Sequence, residues 1–185
     1  MINRFSRMAR SVAARLRRAA RSESGSATIE FVIVVPVLLT IFMSAFEVGL
    51  VMTKRVMLER AIDVSVRNLR LGLWVNPTPL MLKQSICNEA AIIPDCMNVM
   101  LLELRPVSTV TWSPLDNNVK CVQRDEVIQP LTEFVPGGAN EMMLVRACAI
   151  IDPIFKTSAL GLNLPVDETG GYALVATSAF VNEPD

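Results

Sequence analysis

The sequence predicts an α+β protein: one very long N-terminal transmembrane/stalk helix, then a small antiparallel-sheet exported domain. Three observations carry that expectation. Residues 26–53 are almost wholly apolar, an apolar stripe at helical spacing continues to Leu69, and beyond Trp74 β-branched runs alternate with Pro- and Gly-bearing turns. At 185 residues the chain has room for one modest domain plus accessory segments.

The elements follow in order. Residues 1–25 form a basic leader. Its seven arginines, Arg4, Arg7, Arg10, Arg15, Arg17, Arg18 and Arg21, face one acid, Glu23. Ile2, Phe5, Met8, Val12 and Leu16 recur every three or four residues, which suits either a short amphipathic helix on an anionic membrane or a disordered basic segment. No aromatic or Lys-rich reading surface accompanies these arginines, so nucleic acid is not expected as a partner.

The apolar run of residues 26–53 is long enough to cross a bilayer, which takes about 20 residues. A secretory signal would have a core of only about 7–15 apolar residues and a small-x-small cleavage site. The run therefore reads as a retained anchor, with Pro36 expected to kink it or remove one hydrogen bond. Seven arginines before it, against Lys54 and Arg55 just beyond, place the N-terminus in the cytoplasm and the body in the periplasm. Charge supports the same division: residues 26–185 carry eleven basic and seventeen acidic residues, a net of −6.

Residues 54–73 read as a stalk. Val56, Leu58, Ile62, Val66 and Leu69 mark its apolar stripe, Gly72 caps it, and "NPTP" at 76–79 forbids continuation. Ser26 to Leu71 would make one helix about 70 Å long at 1.5 Å per residue. Residues 74–185 form the exported domain, with a helix in "PLMLKQSICNEAAI" and five strands in "MNVMLLELRPV", "STVTW", "NNVKCVQRD", "EMMLVRACAIID" and "YALVATSAFV". "PLDNN", "VPGGAN" and "DETGG" supply turns.

Chemistry is constrained by what is missing. The chain has no histidine, which removes Ser-His and Cys-His dyads and His-ligated zinc. Four cysteines, Cys87, Cys96, Cys121 and Cys148, are separated by 8, 24 and 26 residues. Those spacings lack the paired knuckles of a zinc site, and an even count outside the cytoplasm favours disulfides. Spacing leaves three connectivities open. Cys87–Cys96 with Cys121–Cys148 is preferred, because the first closes a short loop around Pro94 and the second ties two predicted strands. Asp152, Asp167, Glu168 and Glu141 are carboxylates that a membrane-tethered hydrolase would need, but they form no motif and read as solvated turn and surface residues. "PGGAN" and "TGG" lack the lysine and helix context of a phosphate loop. No cofactor or metal is expected, and the chain reads as non-enzymatic.

Glu30 remains. A carboxylate in lipid costs roughly 2.5–3.5 kcal/mol at the centre of a span and less near its edge. Alone, Glu30 would read as snorkelling into the cytoplasmic headgroups, with Glu47 doing the same at the other face. It stands, however, in "GSATIEFVIVVP", with Gly25 five residues before it, Phe31 after it, Pro36 within the apolar run and Glu47-Val-Gly49 further on. This pattern resembles the processing site of type IV pilin-like proteins and, more narrowly, the TadE-like family of tight-adherence (Flp) pilus systems. "SAFVNEP" near the C-terminus is also similar to that family. The resemblance implies a minor pilin or pseudopilin, cleaved between Gly25 and Ser26 by a prepilin peptidase. Its partners would be other pilins and an inner-membrane assembly platform. It implies further that Glu30 and Phe31 help to set subunit register, Glu30 meeting the new Ser26 amine of a neighbour. An uncleaved single-pass scaffold of the same machine is the alternative. Two departures stand out: Ser26 replaces an aromatic common after the cut, and the body is larger than a major Flp pilin.

Overall fold

The computed structural model describes residues 26–74, 76–112, 119–156 and 166–183. The basic leader, Gly25 and the turn "PLDNN" lie outside the described residues. In chain order the elements are α1 (Ser26–Arg70), α2 (Pro79–Glu89), α3 (Cys96–Val99), β1 (Met100–Pro106), β2 (Met142–Ile151) and β3 (Tyr172–Val181). The α+β architecture expected from the sequence is the one observed.

Helix α1 has 45 residues and runs through Pro36 without a break, a length of about 68 Å. Its apolar half contains hydroxyls that bond back to the helix: Thr40 Oγ1 donates to the Val37 carbonyl at 2.8 Å, Ser44 Oγ to Thr40 at 2.8 Å and Thr53 Oγ1 to Gly49 at 2.7 Å. Such bonds let polar side chains sit on an apolar helix without stranding a donor. The end of α1 is built as expected. Gly72 takes a φ of 61°. Its N–H donates to Leu69 at 3.0 Å and that of Leu73 to Asn68 at 3.1 Å, the paired bonds of a Schellman cap.

Helix α2 starts where Pro79 can occupy the first turn without losing a needed donor. Thr78 caps it, its Oγ1 accepting from the Met81 N–H at 3.2 Å. Leu82 and Ile86 are its buried residues, and Ser85 Oγ lies 2.9 Å from Ser65 Oγ of α1. The Cys87–Cys96 disulfide ties α2 to α3.

The sheet has the order β1-β2-β3, antiparallel throughout. Met100 pairs with Ala149, and Ile151 with Tyr172. Strand β2 is central and buried along nearly its whole length, so it is apolar on both faces except at the buried Arg146. One sheet face carries Leu102, Leu104, Val145, Ala147, Leu174 and Ala176, which join Leu58, Ala61, Ile62 and Val66 of α1 in the main core. The alanines at 61 and 147 leave room for helix and sheet to approach closely. Strand β3 runs alongside α1, with Ser178 Oγ donating to Asp63 Oδ1 at 3.0 Å and Glu183 paired with Arg70 at 3.0 Å.

Three expectations need correction. The described residues hold three strands, not five. "STVTW" folds into a turn because Ser108 Oγ accepts from the N–H groups of Val110 and Thr111, and Trp112 takes a positive φ of 53°. Residues 119–125 form no strand: the β1 edge is engaged instead by 133–135, where Leu104 bonds Glu133 and Val135. The second disulfide, Cys121–Cys148, therefore pins an irregular segment over the outer sheet face, where Val122 packs with Cys148 and Ile150. The stalk stripe also shifts. Val56 is 60% exposed, while Leu58, Ala61, Ile62, Ser65 and Val66 are buried against the head. Two residues along a helix turn the side chain by about 200°, so Val56 and Leu58 cannot share a face.

Leu58 is fully buried and Val56 is not. Leu58→Ala should cost roughly 2–5 kcal/mol through lost packing and a cavity, whereas Val56→Ala should stay within about 0.5 kcal/mol. Denaturant unfolding of the detergent-solubilised chain, followed by near-ultraviolet circular dichroism, measures both.

Candidate functional site

Two places on α1 bear on function: its N-terminal end and the point where the head domain meets it. At the first, Glu30 and Phe31 are exposed on the helix, as are nearly all residues from Ala27 to Phe46. This surface is apolar and continuous, so by length and composition the helix can cross a membrane. Among the described residues, none donates a hydrogen bond to Glu30. Pro36 lies on the same exposed stretch. Gly25, on the other side of the expected cleavage point, lies outside the described residues.

The second place was not legible in the sequence. Glu47 is 1% exposed. Its Oε1 accepts from the Ile154 N–H at 3.1 Å and its Oε2 from the Phe155 N–H at 3.0 Å. The expectation that Glu47 snorkels into headgroups is thus corrected. The carboxylate turns inward and clamps the segment that follows β2. Burying such a group is unfavourable unless hydrogen bonds replace its water, and two backbone donors on the two oxygens do that. Pro153 offers no N–H of its own, which leaves the next two amides to meet the carboxylate. The Phe46 and Phe155 rings meet edge to face at a centroid distance of 6.0 Å, closing the apolar side of the clamp.

Tyr172, at the start of β3, completes the junction. Its ring is 3% exposed, and its hydroxyl has no hydrogen-bond partner among the described residues. Burial, aided by the negative charges of Glu47 and Asp152, pushes the phenol up to about 12. A neutral phenol is therefore fixed beside the clamped carboxylate.

Nearby, Arg124 gathers two of the carboxylates singled out in the sequence. Its Nη1 donates to Asp152 Oδ1 at 2.9 Å and Oδ2 at 3.1 Å, and its Nη2 lies 3.6 Å from Asp167 Oδ1. Asp167 Oδ1 also accepts from Thr169 N, Thr169 Oγ1 and Gly171 N at 2.7–3.0 Å. Burial works against the Asp167 charge. The bonds from Thr169 and Gly171 and the Arg124 charge outweigh it, holding the carboxyl below its ordinary value. A Cβ at Gly171 would collide with Arg124 Nη2 and an Ile150 methyl, so this turn requires glycine for close approach. Asp152 and Asp167 act as turn and ion-pair residues. Glu141 Oε2 accepts from the Gly138 N–H at 2.7 Å, again inside a turn.

The cysteines form two disulfides, Cys87–Cys96 and Cys121–Cys148, and leave no free thiol. That pairing is the one preferred from the sequence. Among the described residues, no group of three acidic or sulfur ligands is placed to hold a metal ion.

Comparison with known proteins adds one finding to this geometry. Residues 25–67 match the family model described as TadE-like protein. The TadE-like match begins at Gly25, takes in Glu30, Phe31, Pro36 and Glu47, and ends at Arg67, one residue past buried Val66. No curated protein and no solved structure matches the chain. The similarity is thus concentrated in α1, and the sheet is described by its own structure alone.

Two outcomes are expected here. Glu47→Ala strands two backbone donors, at about 1–3 kcal/mol each if they stay buried. Amide exchange at Ile154 and Phe155 should rise at least tenfold, with Glu47→Gln intermediate because one oxygen remains. Asp167 is depressed in the folded state, so its contribution is present above its ordinary value of 3.8 and is lost as pH falls through the lower folded value. Amide exchange at Thr169 and Gly171, referenced to β2, should therefore accelerate only in that acid range.

Proposed function

We propose that the chain is a minor pilin or pseudopilin-like component of a Tad-type (Flp) pilus assembly and secretion system. In this reading a prepilin peptidase processes it between Gly25 and Ser26, and α1 anchors it in the bacterial inner membrane with the head in the periplasm. The role is one of assembly rather than catalysis. The observation that carries it is the TadE-like match over 25–67, coinciding with a helix whose apolar surface is exposed from Ala27 to Phe46.

The geometry supports an outer membrane boundary at Glu47 rather than at Thr53. Twenty residues from Ala27 to Phe46 rise about 30 Å, the thickness of a hydrocarbon core. From Glu47 onward the buried helix face belongs to the head, and Lys54, one of two cations just past the apolar run, is 8% exposed there. The disulfides suit an oxidising compartment.

Within such a membrane Glu30 needs a positive partner. Cleavage after Gly25 removes seven arginines and creates one ammonium group at Ser26. In parallel, axially staggered helices that ammonium is positioned to meet a neighbour's Glu30, with Phe31 packing beside it. A single buried polar contact of this kind can fix register between helices. The partners are then other pilins or pseudopilins, the peptidase and the membrane assembly platform. An uncleaved scaffold of the same machine is the second reading, favoured only if the leader is retained.

The mass of the native N-terminal peptide decides between them: it should begin at Ser26, and at Met1 in cells lacking the peptidase. A protein that begins at Met1 in both removes the pseudopilin reading. Glu30→Val should leave membrane fractionation unchanged but abolish co-purification with the other pilins; unaltered assembly would remove the register role.

A further inference from the structure

The three-stranded sheet has two edges, and the chain closes one of them itself. Beside β1, Leu104 donates to the Glu133 carbonyl at 2.9 Å and accepts from the Val135 N–H at 2.8 Å. The outer edge of β3 is held only at its ends. Val166 is bridged to Tyr172 at its start, and just past its end the Glu183 N–H reaches the Arg70 carbonyl at 3.4 Å. Among the described residues, no backbone group bonds to the stretch between them on that side.

The register tells which groups this edge presents. The Asn182 N–H donates to the Glu141 carbonyl at 3.1 Å, continuing the pairing of β3 with β2 by one residue. Across β2, the Val107 N–H bonds to the Met142 carbonyl at 2.8 Å and gives the same alternation. Backbone groups alternate in direction along a strand. Ser178 and Phe180, like Asn182, therefore direct their N–H and C=O groups to β2, whereas Val175, Thr177, Ala179 and Val181 turn theirs outward. Unpaired edges are ordinarily protected by charge, proline, a bulge or a cover. Tyr172–Val181 contains no charged residue and no proline, and it pairs one to one with β2 without a bulge. Thr177, Ala179 and Val181 are exposed.

Alongside this edge runs a groove of about 400 Å³ between β3 and α1. Ser178, Ala179 and Phe180 line one wall, and Val66, Arg67 and Arg70 the other. Consecutive strand residues point to opposite faces, so a groove that touches all three follows the edge of the strand rather than one face. Its charges are unevenly used. Asp63 accepts from Ser178, and Arg70 is paired with Glu183. Arg67 is exposed and makes no ion pair among the described residues.

We propose that the open edge of β3 is a strand-addition site. It takes one extended segment of another polypeptide into the groove beside α1, with an acidic side chain of that segment meeting Arg67. The occupant follows from the chemistry of the edge. A row of alternating N–H and C=O groups is matched along its length by a second extended backbone, whose main-chain bonds supply affinity. The groove supplies selection: alternate side chains of the added strand point toward α1, where the uncommitted guanidinium of Arg67 favours a carboxylate. A second copy fits less well. Strand β3 runs parallel to α1, from Tyr172 near Glu47 through Ser178 at Asp63 to Glu183 at Arg70. Antiparallel pairing of two β3 edges would set the two α1 helices in opposite directions, against the membrane orientation proposed above.

The test uses the full chain in detergent micelles, with amide hydrogen exchange followed by nuclear magnetic resonance. The probe is an octapeptide of alternating threonine and valine with one central glutamate. Added peptide should slow exchange at Thr177 and Ala179 at least tenfold and leave Ser178 and Phe180, already bonded to β2, unchanged. The same peptide methylated on every amide nitrogen should have no effect. Ala179→Pro and, independently, Thr177→Pro remove an outward N–H without breaking a bond to β2, a place where an edge strand accepts proline. Each should abolish the protection while exchange at Ile154 and Phe155 stays unchanged. Arg67→Glu should weaken peptide affinity at least tenfold, and replacing the peptide's glutamate by lysine should restore it. No protection up to millimolar peptide overturns the proposal, as does protection that survives methylation of the peptide or the proline variants. Protection at Thr177 and Ala179 that grows with protein concentration in the absence of peptide assigns the edge to a second copy, and also overturns it.

Discussion

The structure depends on one carboxylate being satisfied by the chain that carries it. Glu47 accepts the amides of Ile154 and Phe155, more than a hundred residues away in sequence. With that bond the end of β2 is fastened to a fixed height on α1. Below it the helix is apolar and exposed; above it the helix is one wall of a core that includes Leu58, Ile62, Leu104 and Val145. An unpaired carboxylate at this depth would draw water into the junction, so the two amides hold helix and head at one angle and one level. Ser178 to Asp63 and Glu183 to Arg70 repeat the attachment higher up, on exposed surface. There each contributes less than the clamp.

The head is thus an extension of the helix rather than a domain on a tether. Strand β3 lies along α1, the disulfide between Cys121 and Cys148 holds the outer segment to β2, and that between Cys87 and Cys96 holds α2 to α3, which leads into β1. Any rotation or axial shift imposed on α1 by neighbouring helices is carried to the sheet through close packing, because buried cores resist continuous deformation. On the function proposed above, such rigidity would carry a position set within the membrane to the surface of the head.

Periodicity made α1 readable from its start to Gly72, and the burial of β2 and β3 followed from their predominantly or alternately apolar residues. The turns around Pro79 and Gly72 were equally readable, since each rests on the backbone chemistry of one residue. Two kinds of information were not local. "STVTW" has strand-like composition, yet the Ser108 hydroxyl offers its backbone a nearer partner than any ladder. The function of Glu47 depends on amides brought to it only by the folded sheet. The one local hint was Pro153, which leaves the amides after it to seek an acceptor. The contrast between Val56 and Leu58 shows the same limit: the stripe was real, but its centre was set by where the sheet lies.

Glu30 and Glu47 stand on one helix, seventeen residues or about 26 Å apart, and both interrupt an apolar run. Hydropathy alone gives them one explanation, a carboxylate near each membrane surface. The structure separates them. Glu47 is enclosed and its two oxygens are used by its own chain, so its presence is accounted for by the fold. Glu30 is exposed on a helix whose surroundings are apolar, and no described residue satisfies it. In the membrane orientation proposed above, a carboxylate the fold does not use would find its partner in another molecule or at the headgroups. The TadE-like match spans both residues, and only for Glu30 does the remaining chemistry lie outside the chain. That asymmetry is the physical reason to look for assembly at the N-terminal end of α1 and for architecture at Glu47.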